Sequence, residues 1–364
     1  GVSMESHSLA SSAAPLGADV CVVFRPCGRH WQKGIRQMRI CVCIIALTVL
    51  LAAPAVAQTY VYAPDSNPAT GGGNSWPFNF STTSGRFIQI ILVQHLTTLA
   101  GPYKITDVAF SVNGTYPNSF TATQFQMRMS HSTLSNWADT NFANWQAPCP
   151  TNLIDAGSGF TYTVPGANAW ADIGTKLDFG WDGKRNIALE IRYRGQNTSL
   201  GFACWSDSTM PRIWANSTSA DNYVATTGSA RANLGLKVRL TIDKNNVLLA
   251  PDDVTVGTTA GIVLVNMPAG TGYQVAASLG QTPLPLGVCR IGLTLDNVFA
   301  TSVQTATSVF KGYAGLTSAT GTATAQFAPP RIPALAGICV YHAAVTYDKT
   351  GVRGCTNTAG TMLK

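Results

Sequence analysis

The chain has 364 residues, a formal net charge of +7 and only 11% charged residues, against about 25% in an ordinary globular protein. Positive charge this sparse, with no Lys/Arg stripe, excludes an electrostatic footprint for nucleic acid. The abundance of Thr, Ser, Asn, Gly and Ala suits an extracellular β-protein whose solvent-facing strand positions carry hydroxyls and amides.

The first element in the chain is the stretch from Met38 to Tyr60, MRICVCIIALTVLLAAPAVAQTY. Its apolar run, Ile40 to Ala53, has 14 residues, short of the ~20 that a spanning helix needs. Arg39 before the run, and the small residues Ala55 and Ala57 after it, give the layout of a secretory signal peptide cut between Ala57 and Gln58. Residues 38–57 therefore read as a signal peptide and residues 1–37 as an upstream over-extension of the reading frame. No Cys follows the cut, which speaks against a lipid anchor, and the mature chain shows no membrane span. It would hold 364 − 57 = 307 residues, enough for two domains with separate cores.

From Tyr60 to Asp243 apolar and polar residues alternate in KITDVAFSV, QFQMRMS, GFTYTV, NIALEIRYR and LKVRLTI, each run broken by Gly, Asn, Pro or Asp. These are antiparallel strands joined by turns, with a helical turn expected only in HSTLSNWADTNFANW. Around DKNNVLLAPDD the composition shifts, and no Trp occurs beyond it. Seven short runs follow: AGIVLVNMP, GYQVAASLG, CRIGLTLDN, VFKGYAGL, TATAQFA, GICVYHAAVTY and NTAGTML. Their number and spacing match an immunoglobulin-like sandwich. The fold expected is all-β, with an N-terminal antiparallel, jelly-roll-like β-sandwich over residues 58–245 and a smaller immunoglobulin-like sandwich over 250–364.

The stretches PAGTGYQVAASLGQTPLPLG and GYAGLTSATGTATAQFAPPRIPALAGICVYHAAVTYD, with MRMSHSTLSNWADTNFANW and LDFGWDGKRNIALEIRYR upstream, carry a resemblance. They are similar to uncharacterised secreted two-domain β-sandwich proteins of planctomycete-type bacteria. The match lies in packing and turn residues, so it implies a fold and an extracellular address and supplies no catalytic residue.

Chemistry is sparse beyond the cut. Glu190 is the sole glutamate after Gln58, whereas a glycosidase of the usual type needs two carboxylates. His95, His131 and His342 show no metal-ligand spacing, and no nucleophile elbow or phosphate loop appears. Asp178, Asp182 and Asn186 in DFGWDGKRN are spaced to wrap Ca²⁺, although Asp182-Gly183 is equally an ordinary turn. Trp137 and Trp145, with Asp139, Asn141 and Asn144, combine flat apolar faces and amides of the kind that stack on a sugar ring; the competing reading is sandwich core. Trp170 and Trp181 read as packing residues and His131 as a surface histidine. The sequons at Asn79, Asn113, Asn197 and Asn216 would matter only in a eukaryotic secretory route.

Five cysteines follow the cut, an odd number for an oxidising compartment. Cys149 and Cys204 are the two in the first domain and are expected to pair. In an immunoglobulin-like sheet the loops before the third and seventh strands share one end, so Cys289 should pair with Cys355. Cys339 is then left as a buried thiol. Three functional readings stay open: a non-catalytic surface or matrix protein, a polysaccharide-binding protein using the Trp-rich half, and a hydrolase with an unrecognised Asp-based site. None calls for a cofactor.

Overall fold

The computed structural model describes residues 58–364 except 75–76, 79–81, 97–99, 115–118, 137–138, 198–200, 217–220 and 305–306. The expectations for residues 1–37 and 38–57, and those for Trp137 and Asn79, lie outside the described residues. The protein is all-β, as expected, with two short α-helices among the described residues, Val93–Leu96 and Asn297–Ser302. No described helix is long and apolar enough to cross a membrane.

Most strands up to Asp243 build one curled sheet, whose main path runs Thr59–Ala63, Val238–Asp243, Tyr103–Asn113, Ala203–Asn216, Ser84–Ile91, Asn186–Arg194, Gln124–Ser132 and Thr151–Ala156, while Ser119–Ala122 and Phe160–Thr163 pair apart as a ribbon. Period-2 patterning sets which face is buried. In QFQMRMSHS, Phe125, Met127 and Met129 enter the main core, whereas Gln124, Gln126 and Arg128 are only half-buried. The curl depends on the long strand Ala203–Asn216. Its start pairs with Val112 and Asn113, its end with Gly85–Gln89, and its register against Ala230–Leu236 shifts between Asp207 and Pro211. An irregularity of this kind bends a strand, and Pro211 has no N–H for a ladder there. The two leaves thus close over Phe78, Phe87, Phe110, Phe125, Trp181, Ile191 and Tyr193.

Strands from Val247 onward pair among themselves in two larger sheets. One runs Val247–Leu249, Ala260–Val265, Ala323–Phe327, Phe310–Lys311; the other runs Asp253–Val254, Ala359–Leu363, Cys339–Asp348, Gly272–Ser278, Ala314–Leu316. Leu248, Ile262, Leu264, Val275, Ala325 and Phe327 share their core. One expected strand departs from this plan. In CRIGLTLDN only Arg290–Gly292 is extended, paired with Pro283–Pro285 in a separate ribbon. Asp296 then caps the helix Asn297–Ser302 by accepting from Phe299 N. Two prolines in the ribbon strand remove ladder donors, which fits a peripheral position.

Gln58–Lys364 forms one compact unit. The connecting segment is no exposed tether, since Val247 and Leu248 are fully buried and Asn357 brackets Leu248, donating to its carbonyl and accepting from its N–H. The two strand systems meet closely at glycines. A Cβ at Gly180 would lie 2.3 Å from Asn357 Nδ2, and one at Gly360 would lie 2.4 Å from Cys149 O.

Candidate functional site

The expected sugar-stacking segment folds into a small capped turn. Asn141 caps the 3₁₀ turn Phe142–Asn144 by accepting from Ala143 N. Asp139 accepts from Asn141 N at 2.9 Å and from Asn144 Nδ2 at 2.6 Å. Trp145 corrects the stacking expectation: it is fully buried among Ile88, Ile90, Phe142, Ala188, Ile213 and Ala215, and its indole N–H donates to Asp139 O. An aromatic run laid over an apolar sheet face sinks its ring into that face, leaving no platform at Trp145. Trp181 packs in the main core beside Tyr103, as its packing role requires, and Trp170 lies beside Tyr62.

The Ca²⁺ candidates are pulled apart. Asp178 lies 3.9 Å from Lys104 Nζ, and burial, only partly offset by Lys104 and Arg290, raises its pKa. Asn186 accepts from Val93 N and donates to Leu134 O. Asp182 closes the turn, accepting from the backbone N–H groups of Lys184 and Arg185, with Gly183 at φ +80°. Among the described residues no group of three or more His, Cys, Asp or Glu side chains is placed to hold a metal.

Asp182 belongs instead to a cluster at the junction of the two strand systems. Arg185 reaches Asp182 through Nε at 2.7 Å and Asp252 through Nη1, and its Nη2 lies 2.9 Å from His131 Nδ1. Arginine only donates, so His131 Nδ1 accepts that bond, and the ring's buried Nε2 faces Asp182 Oδ1 at 3.8 Å, beyond hydrogen-bond distance. Burial opposes ionisation of Asp182 and Asp252, but Arg185, and for Asp182 the turn N–H groups as well, hold both below the usual carboxylate range. A cleft of about 150 Å³ adjoins the cluster, lined by Ser132, Thr133, Asn144 and Asp253. His131 cannot accept a substrate proton at Nδ1 while Arg185 occupies that lone pair. The arrangement is an ion-pair clamp, and His131 is part of the junction, not a surface histidine.

The clamp has neighbours. Thr151 Oγ1 donates to Thr358 O at 3.0 Å, Gln281 exchanges hydrogen bonds with Asn152 N and Pro150 O, Arg290 donates to Thr175 O at 2.9 Å, and Lys104 Nζ donates to Cys355 O at 3.3 Å. A disulfide completes the weld. Cys149 is bonded to Cys339 (Cα–Cα 5.7 Å), which corrects both the expected Cys149–Cys204 pair and the expected free Cys339. Among the described residues Cys204 is the free thiol, buried in the main core, where burial raises its pKa far above the ordinary thiol value. Cys289 and Cys355 are bonded as expected (Cα–Cα 5.8 Å), although the strand from which that pair was argued is the peripheral ribbon. Counting cysteines within each half missed a bond between halves, and Asp252 and Arg185 carried no motif to mark them.

No family model and no curated protein matches the chain. Among solved structures the chain is similar to a β-glucuronidase of Faecalibacterium prausnitzii, at 11% identity and a TM-score of 0.20, over 84% of this chain and 45% of that one. The chain thus spans less than half the length of that protein, and a likeness this faint carries no argument about fold or activity.

Proposed function

We propose that the chain is a secreted, non-catalytic protein of a cell surface or extracellular matrix, acting in structure or adhesion. In this reading residues 58–245 form the jelly-roll-like sandwich and residues 250–364 the immunoglobulin-like one. One observation carries the reading: two strand systems locked together by the Cys149–Cys339 disulfide and by the Arg185 clamp. Disulfides persist in oxidising compartments, and a junction closed by a covalent bond and buried hydrogen bonds suits a rigid object better than a hinged catalyst. Fractionation of the source cells tests the address: the reading expects protein in the envelope or medium with Gln58 at its N-terminus. Recovery in the cytoplasm with residues 38–57 attached would overturn it. A panel of fluorogenic glycosides and esters tests the non-catalytic half, where turnover abolished by a single Asp substitution would replace it with the hydrolase reading.

A further inference from the structure

On the sheet face away from the main core, three adjacent strands bring three guanidinium groups onto one carboxylate. Glu190 sits opposite Arg128 in one register, and Arg192 sits opposite Arg86 in the other. Arg86 Nε reaches Glu190 Oε1 at 2.6 Å and Arg192 Nε reaches the same oxygen at 2.9 Å, while Arg128 binds Oε2 through Nε and Nη2. Burial opposes ionisation of Glu190, but Arg128, Arg192 and Arg86 outweigh it and hold the carboxyl below its usual range. The cluster therefore carries three positive charges against one negative.

The three cations are not used alike. Arg86 is spent: it also donates to Ala225 O and lies 4.2 Å over the Phe142 ring. Arg192 gives Glu190 only its Nε and Arg128 only Nε and Nη2, so both Nη atoms of Arg192 and Nη1 of Arg128 have no acceptor among the described residues. Both side chains are 16% exposed, whereas Glu190 is 0% exposed. The half-buried Tyr223 lies in the field of Arg192, Arg128 and Arg194. Of the nearby acids, Asp221 is paired with Arg194, whereas Asp155, bonded at 3.3 Å to the neutral Gln126 amide, keeps its negative charge at the edge of the patch. Guanidinium forks match carboxylate and sulfate oxygens, and partial burial strengthens that attraction over its value in open water.

We propose that Arg128 and Arg192, braced by Glu190, bind a carboxylate or sulfate group carried on an acidic polysaccharide. The anion site rests on the geometry alone, and the polymer that carries the group rests on the extracellular reading above. The test is calorimetric titration of the chain from Gln58 to Lys364 with a polyuronate oligomer, a sulfated oligosaccharide, a neutral glucan oligomer and sodium sulfate. The expected result is binding of the two acidic oligomers, weakened at least tenfold between 50 and 500 mM salt on the order set by screening, with no binding of the neutral glucan. Arg192→Gln and Arg128→Gln, each leaving two arginines on Glu190, should each weaken it about tenfold, the order of one charge-assisted hydrogen bond. Arg353→Gln, which removes an exposed arginine elsewhere, should change nothing. Circular dichroism of the variants guards against misfolding, and Arg192→Lys should restore part of the affinity if Arg192→Gln proves unstable. Binding of sulfate alone would overturn the polysaccharide while leaving the extracellular reading standing. Equal binding by wild type and both Gln variants, or of neutral and acidic oligomers, would overturn the site.

Discussion

The two strand systems differ in the aromatic rings they bury and in the disulfides they hold. The first buries Trp145, Trp181, Tyr103, Tyr193 and Phe78 to below 2% exposure. The second has no Trp, and its surface carries an open apolar pocket of about 310 Å³, lined by Val298, Phe310, Phe327, Leu335, Val340 and Leu363. Three of the four bonded cysteines, Cys289, Cys339 and Cys355, belong to the second system. Small cores are the ones that need covalent staples, so the bonds sit with the smaller of the two cores.

The largest effect should come from removing the bond between the systems. Cys149 and Cys339 are 190 residues apart, a loop whose closure stabilises by about 5 kcal/mol in the chain-entropy account. In Cys149→Ser/Cys339→Ser, urea unfolding followed by Trp fluorescence, which reports only the first system, should no longer coincide with unfolding followed by far-ultraviolet circular dichroism. Coincident curves would mean that the hydrogen bonds and the Arg185 clamp suffice to couple the two.

Next is the filled core itself. Trp145→Ala should lower the unfolding free energy by about 3–5 kcal/mol, the usual cost of deleting a buried large aromatic side chain. A loss under ~1 kcal/mol, within the range of surface substitutions, would show that the ring is not packed as described.

His342 sharpens the comparison from the other side. It is fully buried in the second system, with Nδ1 3.1 Å from Tyr313 Oη, and burial pushes its imidazole down to about 3. The folded value lies below the unfolded one, so the unfolded chain binds the extra proton. Stability is fully present above the unfolded value of about 6.5 and falls as pH drops toward the folded one, by up to about 1.4 kcal/mol per pH unit. His342→Phe should flatten that slope in urea titrations between pH 4 and 7, and an unchanged slope would assign it to other groups. The smallest effect is expected at the open apolar pocket, where Val298→Leu should add about 0.5–1 kcal/mol by covering its wall. A destabilising result would mean that the pocket wall cannot accept one more methylene.

The all-β class and most strand positions were legible because period-2 alternation is local, as in Gln124–Ser132. The ribbon Arg290–Gly292 was not, because its extended residues look like a sheet strand until Pro283 and Pro285 are seen as its partner. Trp145 stayed undecided for a similar reason, with sugar platform and sandwich core both open: composition shows a ring beside amides, and only the apolar outer face of Ile88, Ile90 and Ala188 shows that the core reading holds. Pairings that cross from one strand system to the other, such as Cys149 with Cys339 or Arg185 with Asp252, leave no local pattern. They depend on how two finished surfaces meet.

The disulfide between the systems also has a mechanical consequence. Force applied at Gln58 and at Lys364 would run to Cys149, across the bond to Cys339, and on. The 189 positions between the two cysteines (339 − 149 − 1) lie off that path and cannot lengthen it under tension until the bond is reduced. A thiol reductant would therefore act as a switch for extensibility, turning a short, stiff tether into a long one.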